Sequence, residues 1–278
     1  MNALQHLGIE FHAVEGASTF LGTRKGGWIY ASQRPHHEVK CPDFFIMKRV
    51  FSQANLMKFF PEVEGTIVLN GARIQHLESH FNSTFDPDEF RLDSSIRWEV
   101  RSPSEGEWQL AHEQLQLELN PKMVEVLADG VSDNYRGAMM DGRPRHFQGL
   151  GPMATHRAAI ETHPTQEGVT ALSSAPMDRE LAEVVTRFVI TPVRTGPAIQ
   201  VPTTADLFAN IRGELFWTGV LGVIPSFAIP IARGMGGYAV TGWVNLLFGG
   251  LCAGFVTGAF WRPKRPTVMF EDGERVTP

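Results

Sequence analysis

The chain has 278 residues, of which 43% are hydrophobic and 20% are charged, and its 25 Lys and Arg against 30 Asp and Glu give a net charge of −5. This composition excludes a wholly disordered chain and a transporter that is apolar from end to end. Nucleic acid is not expected as the main partner, because a phosphate backbone is bound by a basic surface.

The N-terminal region predicts a cytoplasmic start to the protein. Residues 1–30 contain charges and histidines but no apolar run of the length that a secretory signal peptide needs. Phe44–Phe60 has apolar residues at helical spacing and is followed by Pro61, which predicts a helix that ends there. The two cysteines, Cys41 and Cys252, are too far apart to suggest a disulfide framework.

Residues 64–120 have a pattern typical of antiparallel strands. Asn70-Gly71 lies between two apolar runs, which predicts a two-residue hairpin. A second hairpin is predicted between Trp98 and Trp108, which flank Pro103 and Gly106. Two sets of apolar residues alternate with polar ones, and each set is expected on one face of a strand: Ile96, Trp98 and Val100, then Leu115, Leu117 and Leu119.

The next segments complete a predicted β-rich, antiparallel domain over residues 1–205. Residues 130–174 are rich in Gly, Pro, Thr and His, and we expect a loop-rich stretch there. Asp178–Arg187 predicts a helix that Asp178 itself could cap. Residues 206–214 predict a short amphipathic segment that lies on a membrane surface and leads into the apolar region.

Charge almost disappears from residues 215–261. The stretch 215–232 has 18 residues and no charge, Arg233 follows, and 234–261 adds 28 uncharged residues. About 20 helical residues cross the ~30 Å hydrocarbon core of a bilayer. The fold class predicted is therefore α+β, with a β-rich cytosolic domain followed by a C-terminal two-helix transmembrane hairpin at 215–261.

The flanks of the two runs predict their orientation. Aromatic residues stand at the ends of the runs, as at membrane interfaces. Three cations, Arg262, Lys264 and Arg265, follow the second run, whereas the connecting turn has only Arg233. The excess of cations predicts a multi-pass membrane protein with both termini in the cytoplasm and with 262–278 as a cytosolic tail.

Two alternatives to this hairpin stay open. Pro225 and Pro230 would each remove a helix hydrogen bond, so the first run could instead be a re-entrant or tilted interfacial segment. Both runs could also form a buried helical hairpin in the core of a soluble protein.

Glycines predict where the two helices pack. Small residues allow helix backbones to approach closely, and glycines recur every four residues on one face of the second helix. The candidate packing residues are Gly250, Gly254 and Gly258 on the second helix and Gly219 and Gly222 on the first. They could serve association within the hairpin or with other membrane subunits, or could reflect only a general enrichment of Gly in transmembrane helices.

Three histidine groups, one of which includes a cysteine, are the candidates for a metal site. His36, His37 and Cys41 form one group, and His76 with His80 forms another. His76 and His80 fall in or just after a predicted strand, where a four-residue offset is about 13 Å and is too long for both to bind one ion directly. A third pair, His156 and His163, completes the candidates, and surface or interface histidines are the alternative for all of them.

No catalytic residue is predicted. Phosphate-loop and nucleophile-elbow motifs are absent from the sequence, and no cofactor is implied. We expect a membrane-anchored structural or interaction protein, a subunit of a membrane-associated complex. Its expected partners are the lipid bilayer and other membrane subunits or copies of itself. The alternatives are a membrane-surface enzyme, a metal-binding subunit that uses the histidines, and a membrane component of a virus or a secretion machine.

Overall fold

The fold is known from a computed structural model, which describes residues 3–146, 151–163, 169–204, 206–261 and 267–276. It is an α+β fold in which most strand pairings are antiparallel, with two apolar helices near the C-terminus. The strands are β1 (Ala3–His6), β2 (Ile9–Val14), β3 (Ser18–Leu21), β4 (His36–Lys40), β5 (Phe44–Ile46), β6 (Trp98–Arg101), β7 (Val124–Gly130), β8 (His156–Thr162), β9 (Thr170–Pro176), β10 (Val184–Val185), β11 (Val189–Pro192), β12 (Met269–Glu271) and β13 (Glu274–Val276). The helices are α1 (Gln53–Phe59), α2 (Gly71–Thr84), α3 (Glu105–Leu115), α4 (Leu207–Thr218), α5 (Ile224–Ala232), α6 (Gly236–Thr241) and α7 (Trp243–Trp261).

The chain divides into two compact units. Unit 1 consists of Met1–Phe20, Val39–Ser132 and Met139–Ile199, and unit 2 of Leu21–Glu38, Asp133–Ala138 and Gln200–Pro278. The apolar helices therefore belong to the same unit as two short segments from much earlier in the chain.

Unit 1 contains two sheets. A five-stranded sheet has the order β1-β2-β5-β11-β6 and is antiparallel throughout. A four-stranded sheet has the order β10-β7-β8-β9, in which only the β10–β7 pairing is parallel. Helix α2 places Ile74, Leu77 and Phe81 in the core of this unit. There Phe81 meets Phe188 with ring centroids 4.9 Å apart.

The segment after the apolar helices returns to the N-terminal part of unit 2. Strands β12 and β13 form an antiparallel pair, and β12 pairs in parallel with β4, so that Met269 lies opposite His36. The order in this sheet is β13-β12-β4-β3. Part of the predicted tail therefore contributes to a sheet. The cations on which the predicted orientation depends, Arg262, Lys264 and Arg265, lie outside the described residues.

The predicted hairpin at Asn70-Gly71 is wrong. The Asn70 side chain caps helix α2 by accepting a hydrogen bond from the backbone nitrogen of Arg73 at 2.9 Å. Asn is favoured both in tight turns and at helix N-caps, and the apolar spacing that follows selects the helix. His76 and His80 consequently lie one turn apart on a helix, not on a strand.

The predicted hairpin between Trp98 and Trp108 is also wrong. Strand β6 is present, but Ser104 then caps helix α3. Its side chain accepts a hydrogen bond from the Glu107 backbone nitrogen, and the Glu107 side chain accepts one from the Ser104 backbone nitrogen, which is a capping box. The alternating leucines that follow are not a strand, because Leu115 ends α3 and Gln116 takes a left-handed conformation with φ of 53°. This capping box can be recognised in the sequence, and it outweighs the turn preference of Pro103 and Gly106.

The remaining differences concern helices and loops. The predicted helix at Phe44–Phe60 is a helix only over α1, and its first residues form β5. The helix predicted at Asp178–Arg187 is wrong, since that stretch contains the short strand β10. The stretch 130–174 holds β8 and the first residues of β9, while 147–150 and 164–168 lie outside the described residues. The expected lead-in at 206–214 is the first part of a helix that continues into the apolar region.

Candidate functional site

Two helices of unit 2 are long and apolar enough to cross a membrane. The first apolar helix, Leu207–Ala232, has 26 residues, and the second, Trp243–Trp261, has 19. At ~1.5 Å per residue they are about 39 and 28 Å long, close to or above the ~30 Å hydrocarbon core. The hairpin, defined as residues 207–261, reverses direction through Arg233 and the short helix α6.

The first apolar helix continues through both of its prolines. Pro225 has no N–H for the preceding turn, and the helix widens before it: residues Gly219–Val223 form a π-helical turn in which the Ile224 N–H donates to the Gly219 carbonyl. Pro230 lies inside the following helix α5. A local change of winding thus accommodates the residue that would otherwise break the helix.

Glycines bring the two helices into backbone contact. A Cβ at Gly222 would overlap the Gly250 carbonyl oxygen and would lie 2.6 Å from the Gly254 nitrogen. A Cβ at Gly250 would lie 2.8 Å from the Cα of Val223, and one at Gly254 would lie 2.7 Å from the Thr218 carbonyl oxygen. No larger residue fits at these three positions unless the helices separate.

The structure therefore separates the five candidate glycines into two groups. Gly222, Gly250 and Gly254 lie together at the contact between the helices, and Gly258 is buried on the same face of the second helix. Gly219 does not take part, because no described atom lies within 4 Å of the place that its Cβ would occupy. The glycine face is used inside the hairpin, which was one of the two uses that the sequence left open.

Large apolar side chains point away from this contact. In the most apolar 18-residue stretch of each helix, only 6% of the residues are buried in the first apolar helix and only 17% in the second. Phe248, Leu251 and Phe255 lie on one outward face of the second helix, since their spacing is three and four residues, and all three are exposed. The core helix of a soluble protein would have the opposite arrangement.

An ion pair with a buried carboxylate attaches the hairpin to the rest of unit 2. Asp206, just before helix α4, is 1% exposed, and its two carboxylate oxygens accept hydrogen bonds from Arg136 Nε at 2.8 Å and Nη2 at 3.0 Å. Asn210 donates to the same carboxylate at 2.9 Å and accepts from Arg34 at 3.5 Å. Burial lowers the pKa of Arg34, and the charge of Asp206 opposes that shift. These contacts hold the start of the hairpin against the earlier segments of unit 2.

Sequence reasoning missed this attachment. The sequence indicates Asp206 only as part of an amphipathic segment, and its partner Arg136 lies 70 residues earlier. A bidentate pair between distant residues leaves no periodic signal in the sequence. The only hint is an acidic residue at the start of a strongly apolar helix.

The candidate metal ligands are not gathered into a site. His37 is buried with its Nδ1 3.1 Å from the Pro35 carbonyl oxygen, and His36 Nδ1 lies 3.3 Å from the Gly22 carbonyl oxygen. His76 packs on Phe60 and His80 on Phe59. Among the described residues, no group of three or more His, Cys, Asp or Glu is placed to hold a metal ion. The described part of the chain thus offers no ready set of metal ligands.

A network of buried charges in unit 1 surrounds Glu107. Arg101 donates to both oxygens of this carboxylate at 2.8 and 3.0 Å, and Thr191 donates to it at 2.9 Å. Burial opposes ionisation of Glu107, but the charge and hydrogen bonds of Arg101 outweigh it and hold the pKa of Glu107 below its usual range. Two arginine nitrogens and a hydroxyl thus compensate for the cost of burying this charge.

Cys41 lies beside this network and is held as a neutral thiol. Burial raises its pKa far above the usual range, and the charge of Glu107 raises it further, while Arg194 and Arg101 act in the opposite direction. The thiolate is the nucleophilic form of cysteine, so this environment disfavours reactivity. Asp129 is a second perturbed group: burial raises its pKa to about 6, although the backbone nitrogens of Arg145 and Glu105 donate to it.

The sequence matches no protein-family model and no curated protein. A comparison with solved structures finds PvdO from Pseudomonas aeruginosa, with 11% identity, a TM-score of 0.49, and coverage of 66% of this chain and 94% of that one. Treponema denticola variable protein 1 has 12% identity, a TM-score of 0.42, and coverage of 69% and 99%. Neither name states an activity, a substrate or a partner.

Proposed function

We propose that this protein is a membrane-anchored structural or interaction protein, a subunit of a membrane-associated complex. Its hairpin spans the bilayer, and its β-rich part lies on the cytoplasmic side together with both termini. The observation that carries the proposal is the arrangement of the hairpin, with glycines between the helices and large apolar side chains outside. Lipid is the solvent that makes this arrangement favourable, because packing of small residues holds membrane helices together.

The two ends of the hairpin support the proposed orientation. Asp206 precedes the first apolar helix and is bound by Arg136, while Thr267 follows the second and donates from its backbone to the Arg24 carbonyl at 2.9 Å. Both anchoring contacts lie within unit 2. Two crossings return the chain to the side from which it left, and the cation count assigns that side to the cytoplasm.

Membrane extraction tests the anchor. Membranes from cells that make the full chain are washed with alkaline carbonate and spun at high speed. We expect the protein in the pellet until detergent is added. Recovery in the supernatant without detergent would overturn the proposal, because a hairpin that spans the bilayer is not released by high pH.

Cysteine labelling tests the orientation. Met235→Cys, in the turn between the helices, should react with a membrane-impermeant maleimide added outside intact cells, whereas Glu274→Cys should react only after lysis. Both are introduced into a Cys252→Ser background. Labelling of Glu274→Cys in intact cells would reverse the proposed topology.

We place the contact with another subunit on the outward face of the second apolar helix, since the glycine face is already used. Leu251→Ala with Phe255→Ala should reduce co-purification of a partner, or self-association, in mild detergent. Leu172→Ala is the matched control, because Leu172 is equally exposed but lies on β9. A single monomeric species with no co-purifying protein in the parent chain would refute the assignment as a complex subunit.

A further inference from the structure

An open groove runs along the first helical turns of the hairpin. Phe208, Arg212 and Phe216 of α4 line one side, together with the small residues between them, and Arg275 of β13 lines the other. Its volume is about 860 Å³. Gly213 leaves the groove floor open, because no described atom lies within 4 Å of its Cβ position. All of these residues belong to unit 2.

The groove carries two positive charges that nothing described neutralises. Within the described ranges, neither Arg212 nor Arg275 has an ion-pair or hydrogen-bond partner, and both side chains are exposed. The acidic neighbour of Arg275 is Glu274, and successive side chains of a strand point to opposite faces, so Glu274 is directed away from it. A planar guanidinium matches a phosphate by paired hydrogen bonds.

The groove combines these charges with exposed aromatic surface. Phe208 is 74% exposed and Phe216 is 61% exposed. A free inorganic ion would use only the guanidinium groups. A ligand with a charged head and an apolar tail would also cover the rings.

The position of Arg212 along the helix fits the depth of a lipid headgroup, a step that rests on the proposed membrane anchor. Arg212 and Arg233 are 21 residues apart (233 − 212), which is about 31 Å along a helix. This matches the ~30 Å hydrocarbon core. Arg212 then lies at one boundary of the core, with Phe216 about 6 Å deeper and Phe208 about 6 Å closer to water.

We propose that this groove binds an anionic phospholipid. The lipid phosphate lies between Arg212 and Arg275, and an acyl chain covers Phe216. A lipid with net negative charge is preferred over a zwitterionic one, because two cations line the groove and the described residues that line it include no carboxylate.

Native mass spectrometry of the full-length protein tests the proposal. The protein is purified in mild detergent with equal amounts of phosphatidylglycerol and phosphatidylcholine, and bound lipids are counted. The parent chain should retain phosphatidylglycerol. Arg212→Gln with Arg275→Gln should weaken this binding about 25-fold, since each cation near an anionic headgroup contributes about fivefold. Arg212→Lys with Arg275→Lys should keep most of the preference.

Arg233→Gln is the matched control. It removes one cation from the residue that follows the same helix, at the other boundary, so phosphatidylglycerol retention at the groove should not change. Equal losses in Arg233→Gln and in the groove variant would overturn the proposal, since they would reflect the general charge of the protein. Unchanged retention in the groove variant would also overturn it.

Two further measurements distinguish a bound lipid from a free anion and from an acidic protein. Inorganic phosphate should not displace the bound lipid; if it does, the groove is a free phosphate site. If the groove variant instead releases a co-purifying protein and keeps its lipid, the ligand is an acidic protein segment. Flotation with vesicles of phosphatidylcholine alone tests the anchor independently: a protein that floats without preferring phosphatidylglycerol defeats only this inference, and one that does not float defeats the proposed function.

Discussion

Replacement of Gly222 by alanine should loosen the hairpin. The added Cβ would overlap the Gly250 carbonyl oxygen and would lie 2.6 Å from the nitrogen and 2.7 Å from the Cα of Gly254. Unbonded carbon atoms normally stay ~3.5–4.0 Å apart, and these neighbours are backbone atoms that cannot rotate away. The two helices must therefore separate by about 1 Å at this point.

The magnitude follows from two opposing effects. Overpacking of a close contact costs ~1–3 kcal/mol, whereas alanine favours a helix over glycine by ~1 kcal/mol. Gly219→Ala, three residues earlier on the same helix, brings only the favourable effect, because no described atom lies within 4 Å of its Cβ position. Gly222→Ala should thus be less stable than Gly219→Ala by about 1–3 kcal/mol.

Titration with SDS from mild detergent micelles, followed by far-ultraviolet circular dichroism, measures the difference. A second matched pair lies on the other helix: Gly250→Ala should destabilise, since its Cβ would lie 2.6 Å from Ser226 Oγ, whereas Gly249→Ala has open space. Equal stability within both pairs would refute the reasoning, because it would mean that the helices do not meet at their glycines.

Three further predictions concern the folded part outside the helix contact. Asp206→Asn should destabilise the protein by ~1.5–3 kcal/mol in thermal unfolding, because the half-buried guanidinium of Arg136 loses the charge of the carboxylate that it binds; a loss below ~0.5 kcal/mol would contradict this. The pKa of Asp129 is raised from 3.8 to about 6, so its stabilising contribution is present below pH 4 and disappears as the pH rises through 6. The free energy of unfolding should fall by ~3 kcal/mol over this range, and unfolding curves of Asp129→Asn should lack that fall. Maleimide labelling of the folded protein in detergent, read by peptide mass spectrometry, should spare buried Cys41 until the chain is unfolded; native modification of Cys41 would be inconsistent with its environment.

The sequence predicted the apolar hairpin well because its signal is local. A long uncharged run specifies an apolar helix whatever surrounds it, and two such helices are present at the expected place. The face of the second helix that packs was also predictable, since Gly250, Gly254 and Gly258 repeat every four residues. Gly219 could not be told from Gly222 by spacing alone, because the π-helical turn between them changes which side chains face the second helix.

Prediction failed where one signal serves two structures. Asn70-Gly71 is typical of a turn but caps a helix here, and Pro103 with Gly106 suggested a turn where Ser104 begins α3. At Asn70 the spacing of the apolar residues that follow decided the outcome, and at Ser104 the capping box with Glu107 did. Local turn preferences amount to ~1 kcal/mol, which core packing readily overrides.

By itself, the sequence determined that residues 215–261 contain two apolar helices with a small-residue face, because hydrophobicity and helical period depend only on neighbouring residues. Only the tertiary structure decided what each end of the hairpin is attached to. Arg136 binds Asp206 from 70 residues away, and Arg275 is brought beside Arg212 by the strand that follows the second helix. Such pairs are set by the path of the folded chain, and no spacing within one segment records them.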